Sequence, residues 1–170
     1  MTAMVDSAGR ALPASERPSE DRLRVYGDLM FLAFRSPRHA RMTTGLLRTY
    51  FEPPILLGQY RIFRFDGVPR GMFTWARLDR AAERKLVAGE ALAPEDWAGG
   101  DRLWIVDLIA PYRGLAAGMV RWIMEPGNFT GEDFFFRRVG EDDRTRRIVH
   151  IDFRRDRLSR ILSDEDLLGD

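Results

Sequence analysis

The stretch GDRLWIVDLIAPY, residues 100–112, decides the fold. Between Gly100 and Pro111 it passes through Leu, Trp, Ile and Val with no turn residue, which predicts a strand covered on both faces. A strand of that kind needs helices above and below it. On regular alternation Leu103, Ile105, Asp107 and Ile109 share one face, so Asp107 places a carboxylate in an apolar row. An unpaired charge there costs on the order of several kcal/mol. Either Asp107 meets an arginine inside the sheet, or it lies at a strand end facing solvent, or it has a chemical task.

Working outward, QYRIFRFDGVPRGMFTWARL (59–78) alternates large residues about an Asp-Gly pair, the pattern of a β-hairpin. Further upstream, DRLRVYGDLMFLAFRS (21–36) sets Leu23, Tyr26, Met30, Phe31 and Phe34 at helical spacing, and Ser36-Pro37 ends that helix. SPRHARMTTGLLRTYF (36–51) predicts a second helix beginning near Pro37, with His39 in its first turn and the pair Pro53-Pro54 closing it. A short helix over 80–88 and a turn-rich loop, APEDWAGGD (93–101), lead into the central strand. LAAGMVRWIMEP (115–126) predicts a helix stopped by Pro126, and DFFFRRV and TRRIVHIDF predict two more strands. This order gives a single α/β (α+β) domain over residues 21–160, a mixed central sheet flanked by helices. Residues 1–20, rich in Ala, Ser and Pro, are expected to form a disordered tail, and 161–170 an acidic one.

Composition narrows the function. The chain has 170 residues, 45% hydrophobic and 31% charged, the profile of one globular domain with a real core. It holds no Cys, which removes disulfides, thiolate metal sites and a cysteine nucleophile. A formal net charge of +1 argues against a nucleic-acid partner. No apolar run is long enough for a membrane span and no signal-peptide pattern opens the chain, so a cytoplasmic protein is expected. Of its 27 Lys and Arg residues only Lys85 is lysine. A GC-rich coding sequence and an enzyme that modifies lysines would each give that bias, and composition does not separate them.

Two histidines, His39 and His150, are too far apart to suggest a metal site, and none is expected. Imidazole is the side chain whose ordinary pKa suits proton transfer near neutral pH. His39, between Arg38 and Arg41, reads on its own as an exposed, polar helix-start residue before it reads as a base, and His150 as a strand residue on a polar or partly covered face. No P-loop or dinucleotide-binding glycine pattern occurs. PYRGLAAG (111–118) resembles the pyrophosphate loop of acetyl-coenzyme A N-acetyltransferases, but Ala116 stands where that loop wants glycine.

RSPRHARM (35–42) and GDRLWIVDLIAPY together resemble the toxin-activating lysine acyltransferases, haemolysin-C-like proteins that acylate RTX protoxins in the bacterial cytosol. The first carries the family's Ser-Pro-x-His element, the second its Gly-Asp-Arg-x-Trp-(apolar)₂-Asp-x-Ile-Ala-Pro element, in the expected order. GQYRIF, PRGMFTWARL and FRRVGEDDRTRRIVHIDF extend the likeness over roughly 22–155. The resemblance implies a fold like that of the GCN5-related N-acetyltransferases and no bound cofactor, with acyl-acyl carrier protein as donor substrate. It implies His39 as general base, Asp107 as the residue that orients and charges it, and Ser36 in a supporting position. Acyl carrier proteins are acidic, so Arg35, Arg38, Arg41 and Arg48 are candidates for donor docking. Expected partners are therefore the carrier protein and a protoxin acceptor, with a homodimer as a further candidate. Two other readings stay open: an acetyl-coenzyme A-dependent N-acetyltransferase, and a non-catalytic module that binds carrier or toxin. A separation of His39 from Asp107 beyond about 6 Å, outside the reach of a hydrogen bond, would favour the last.

Overall fold

The structure, a computed structural model, describes residues 5–11, 16–140, 144–154 and 159–162. One mixed sheet organises it, in the order β1 (Tyr60–Phe65), β2 (Val68–Leu78), β3 (Arg102–Ile109), β4 (Phe134–Val139), β5 (Thr145–Ile151) and β6 (Ser159–Leu162). All neighbours pair antiparallel except β3 and β4, which are parallel and joined by a crossover through α4 (Leu115–Met124). The hairpin turn is Asp66-Gly67, both at positive φ, the backbone that a two-residue turn demands. β3 is indeed a strand buried on both faces.

Alternation along β2 sorts the core. Met72, Ala76 and Leu78 face α1 (Glu20–Ala33), α2 (Thr44–Leu57) and α3 (Arg80–Ala88), while Phe73 faces α4. Helices therefore cover both sides of the sheet.

Three expectations need correction. First, the prolines do not end α2: Pro53 and Pro54 lie inside it, and the helix closes at Gly58 with φ 70°. Both are buried against the core, and the Pro54 carbonyl still accepts from the Gln59 amide at 2.8 Å. Packing of this last turn offsets the missing N–H groups, a loss of about 3 kcal/mol in an exposed helix interior. Second, the helix does not begin near Pro37. His39–Arg41 form a 3-10 turn, Met42 and Thr43 are extended, and α2 starts only after the Thr43 side chain has accepted the Leu46 amide. Third, β6 adds an edge strand through Leu162, past the expected domain end at 160. Of the expected acidic tail, 163–170 lie outside the described residues. At the other end Ser19 caps α1, and Val5 and Ala11 are joined by a β-bridge.

α3 is fastened to the sheet by a charge. The Glu83 carboxylate has no solvent exposure and accepts from Trp104 Nε1 at 2.7 Å and from Arg102 Nε. Removing it strands the indole and guanidinium donors. Glu83→Ala is therefore expected to lower unfolding free energy by about 3 kcal/mol in urea denaturation with an unchanged slope; a loss under about 1 kcal/mol, the scale of a surface pair, would refute the anchor.

Candidate active site

The site forms where the segment after α1 meets β3. α1 ends at Ala33, and the chain turns through Ser36, whose carbonyl accepts the Ala40 amide at 2.9 Å. This turn drives His39 inward to 2% exposure against Phe51 of α2, their ring centroids 5.8 Å apart. Ser36 is buried beside it.

Asp107 comes from a β-bulge. β2 and β3 pair Thr74 with Asp107 and then Trp75 with Ile105, leaving Val106 as an extra residue on β3. The apolar row expected on that strand is accordingly broken. Leu103 and Ile105 pack on the α4 side, whereas Ile109 joins the α1–α2 cluster, and Asp107 turns to that second side with it. The expectation that Asp107 shares a face with Leu103 and Ile105 is thus corrected, because alternation does not register an inserted residue.

Asp107 is 5% exposed and has three donors. Oδ2 accepts from His39 Nε2 at 3.1 Å, and Oδ1 accepts from Arg38 Nη1 at 2.8 Å and from the Leu108 amide at 2.7 Å. Burial pushes its pKa up, but the hydrogen bond and charge of His39, the Arg38 guanidinium and the Leu108 amide outweigh burial and hold it below the ordinary carboxylate value. An ionised carboxylate only accepts, so when the ring is neutral its one proton sits on Nε2 and the Nδ1 lone pair is free to accept. Ser36 Oγ donates to that Nδ1 at 2.7 Å. Ser36, His39 and Asp107 form one hydrogen-bonded series, the arrangement of an activated hydroxyl, a base and an orienting carboxylate.

The profile of the RTX toxin acyltransferase family, HlyC, matches residues 18–151, which include this whole series. The chain belongs to that family. It is 34% identical over 125 residues to the RTX-I toxin-activating lysine-acyltransferase ApxIC of Actinobacillus pleuropneumoniae, a match spanning 73% of this chain and 71% of that protein. It is 37% identical over 106 residues to the protein-lysine palmitoyltransferase CyaC of Bordetella bronchiseptica, spanning 59% of this chain and 57% of CyaC. The protein-lysine myristoyltransferase RtxC of Kingella kingae is 34% identical over 93 residues, spanning 54% and 56%. As a member of the RTX toxin acyltransferase family the chain is an acyltransferase.

The structure brings Ser36, His39, Asp107 and Arg38 together and keeps the other candidates apart. Arg35 stacks on Phe31, its guanidinium carbon 3.6 Å from the ring centroid, Arg41 donates to the Pro37 carbonyl, and Arg48 pairs with Glu52. His150 belongs elsewhere: it pairs with Asp133 at 2.9 Å and stacks on Phe135. Sequence reasoning grouped Arg38 with the docking arginines and overlooked its contact with Asp107; the demand of Asp107 for an arginine was the signal. Among the described residues, no group of three or more His, Cys, Asp or Glu could hold a metal ion, and no helix is long and apolar enough to cross a membrane.

The depressed Asp107 pKa has a consequence for stability. Its contribution is full above the unfolded carboxylate pKa near ~3.9 and is lost as pH falls through the lower folded value. Urea midpoints of the wild type and Asp107→Asn should therefore differ most at neutral pH and converge as pH drops below about 4; a gap that widens in acid would contradict the charged, paired state.

Proposed function

We propose that this chain transfers a fatty acyl group from an acyl-acyl carrier protein thioester to lysine side chains of an RTX-type protoxin, activating it. The Ser36–His39–Asp107 series carries the reading, because it supplies what a lysine acceptor needs. An ε-amine with an ordinary pKa near 10.4 is almost fully protonated at neutral pH and must shed a proton to attack. His39 takes protons at Nδ1, reached through the Ser36 hydroxyl that now occupies it. Asp107 holds the Nε2–H tautomer and stabilises the imidazolium, and Arg38 holds Asp107 in turn.

The steps balance. The lysine ammonium gives a first proton by way of His39 to solvent, and the free amine attacks the thioester carbonyl. Attack forms the C–N bond and leaves a second proton on nitrogen. His39 takes it, the C–S bond breaks, and the proton passes to the departing sulfur. Amide and carrier thiol are the products, with no acyl-enzyme. A buried site strengthens each of these charge interactions.

The six-stranded mixed sheet with a parallel β3–β4 pair and helices on both faces is consistent with a GCN5-related N-acetyltransferase-like fold. Ala116, in place of the glycine of a coenzyme A loop, favours a carrier-protein donor over acetyl-coenzyme A. The 3.1 Å contact between His39 and Asp107 removes the geometric argument for a module that only binds.

The test mixes the protein with palmitoyl- or myristoyl-acyl carrier protein and a candidate protoxin and maps acylated lysines by mass spectrometry. His39→Ala and Asp107→Ala should fold, by circular dichroism, yet lose transfer by ~10²-fold or more. Folded variants that keep wild-type rates would sink the assignment. Ser36→Ala should lower kcat without stopping transfer, whereas an acylated Ser36 peptide in the wild type would replace the direct route by a two-step one.

Exposed Arg35, Arg41 and Arg48 are the candidates for docking the acidic carrier. Raising salt from 50 mM to 300 mM should increase the donor KM several-fold with kcat little changed; a KM indifferent to salt removes that patch from the account.

A further inference from the structure

The parallel pairing of β3 with β4 stops at Ile105 and Phe136, although β3 runs on to Ile109 and β4 to Val139. Between the parting strands lies a cleft of about 150 Å³. Its walls are mostly apolar, with Ile105, Ile123, Phe134 and Phe136 among them, and carry three charged residues, Arg38, Asp107 and Arg137. Leu108, Val120 and Met124 also line a wider open groove of about 1010 Å³ between α4 and β4, with Arg121 and Arg138 on it. The open groove thus adjoins, through shared walls, the cleft that Asp107 lines.

We propose that this cleft receives the acyl chain of the donor, and that Val120 and Met124 set the chain length it accepts. The inference rests on the acyl-transfer reading above and adds where the chain lies. An unbranched hydrocarbon matches the aliphatic and aromatic part of this wall, and a thioester seated where Asp107 and Arg38 line it lies beside the partner of His39. The β4 wall from Phe134 to Val139 spans about 17 Å at about 3.3 Å per residue, the length scale of a long acyl chain. The family also varies at this feature of the substrate, since CyaC is named for palmitoyl and RtxC for myristoyl transfer. Val120 and Met124 are one helical turn apart, so both project from the same face of α4, and both are only half-buried. Substitutions there change the cleft without rebuilding the core.

Two measurements on the full chain test this. The first is calorimetric binding of S-alkyl-pantetheine thioethers, which cannot transfer their chain, in a series from octyl to hexadecyl. Wild-type affinity should rise about fourfold per methylene until the cleft is full and then level off. Val120→Phe should move the levelling point to a shorter chain, and Met124→Ala to a longer one. The second is competition between lauroyl- and palmitoyl-acyl carrier protein, read as product ratio on the acceptor. Val120→Phe should shift that ratio toward lauroyl by tenfold or more, and Met124→Ala should shift it toward palmitoyl. Met124→Ala only removes atoms, so it keeps the test decisive if Val120→Phe folds poorly. Length dependence and product ratio identical in the wild type and the folded variants would overturn the proposal. A wild type that transfers acyl groups but binds every thioether equally would overturn the cleft alone, while one that binds by length but transfers nothing would overturn the acyl-transfer reading instead.

Discussion

The buried carboxylate of Asp107 is the constraint on which this structure turns. A charge at 5% exposure persists only if enough donors surround it, and β3 itself supplies just one, the Leu108 amide. The remaining two come from Arg38 and His39, nearly seventy residues earlier in the chain. The hydrogen-bonded series is therefore also a long-range clasp between the α1–α2 connection and the central strand. The segment that supplies Arg38 and His39 leaves the α-helix for a 3-10 turn at His39–Arg41 and an extended pair, Met42 and Thr43, before α2 begins.

That clasp also orders the imidazole. Two neighbours, one that can only accept and one that can donate, leave the imidazole a single tautomer. Nδ1 becomes the basic nitrogen, and Nε2–H the fixed one. Arg38 Nη1 also lies 3.5 Å from Nε2, but both are donors in this tautomer and the contact carries no hydrogen bond. The guanidinium acts on the ring through the carboxylate, where it lowers the energy of the ionised form.

Much of this was legible in the sequence because local rules governed it. Asp66-Gly67 demanded a hairpin, Asp79 and Gly89 bracket α3 within the limits expected, and the unbroken apolar run of β3 required cover on both faces. Reasoning went astray where tertiary packing overruled the local rule. Pro53 and Pro54 lack their amide donors in any setting, yet their burial keeps the last turn of α2 helical. The second half of β5 offered no sign that Ser159–Leu162 would pair with it. The site divided in the same way. His39 and Asp107 stood out as a base and a misplaced charge, but nothing local separated Arg38, which turns inward to Asp107, from Arg35 and Arg41, which bond back to carbonyls of their own segment.

The bulge at Val106 was invisible to alternation, and it has two effects at one level of the sheet. Up to Ile105, β3 keeps register with both neighbours, pairing with Trp75 of β2 and Phe136 of β4. The extra residue follows at once. On the β2 side it turns Asp107 toward Thr74, away from the face of Ile105 and toward His39. On the β4 side the parallel register ends at the same level, and the strands part around the apolar cleft. A bulge bends its strand and increases local twist, so re-aiming the carboxylate and opening the gap are two results of one insertion. A β3 that carried Val106 in regular alternation, with no bulge, would place Asp107 on the α4 face beside Ile105 and leave Arg38 and His39 without their carboxylate. The irregularity that spoils the strand pattern is thus the element that makes the site.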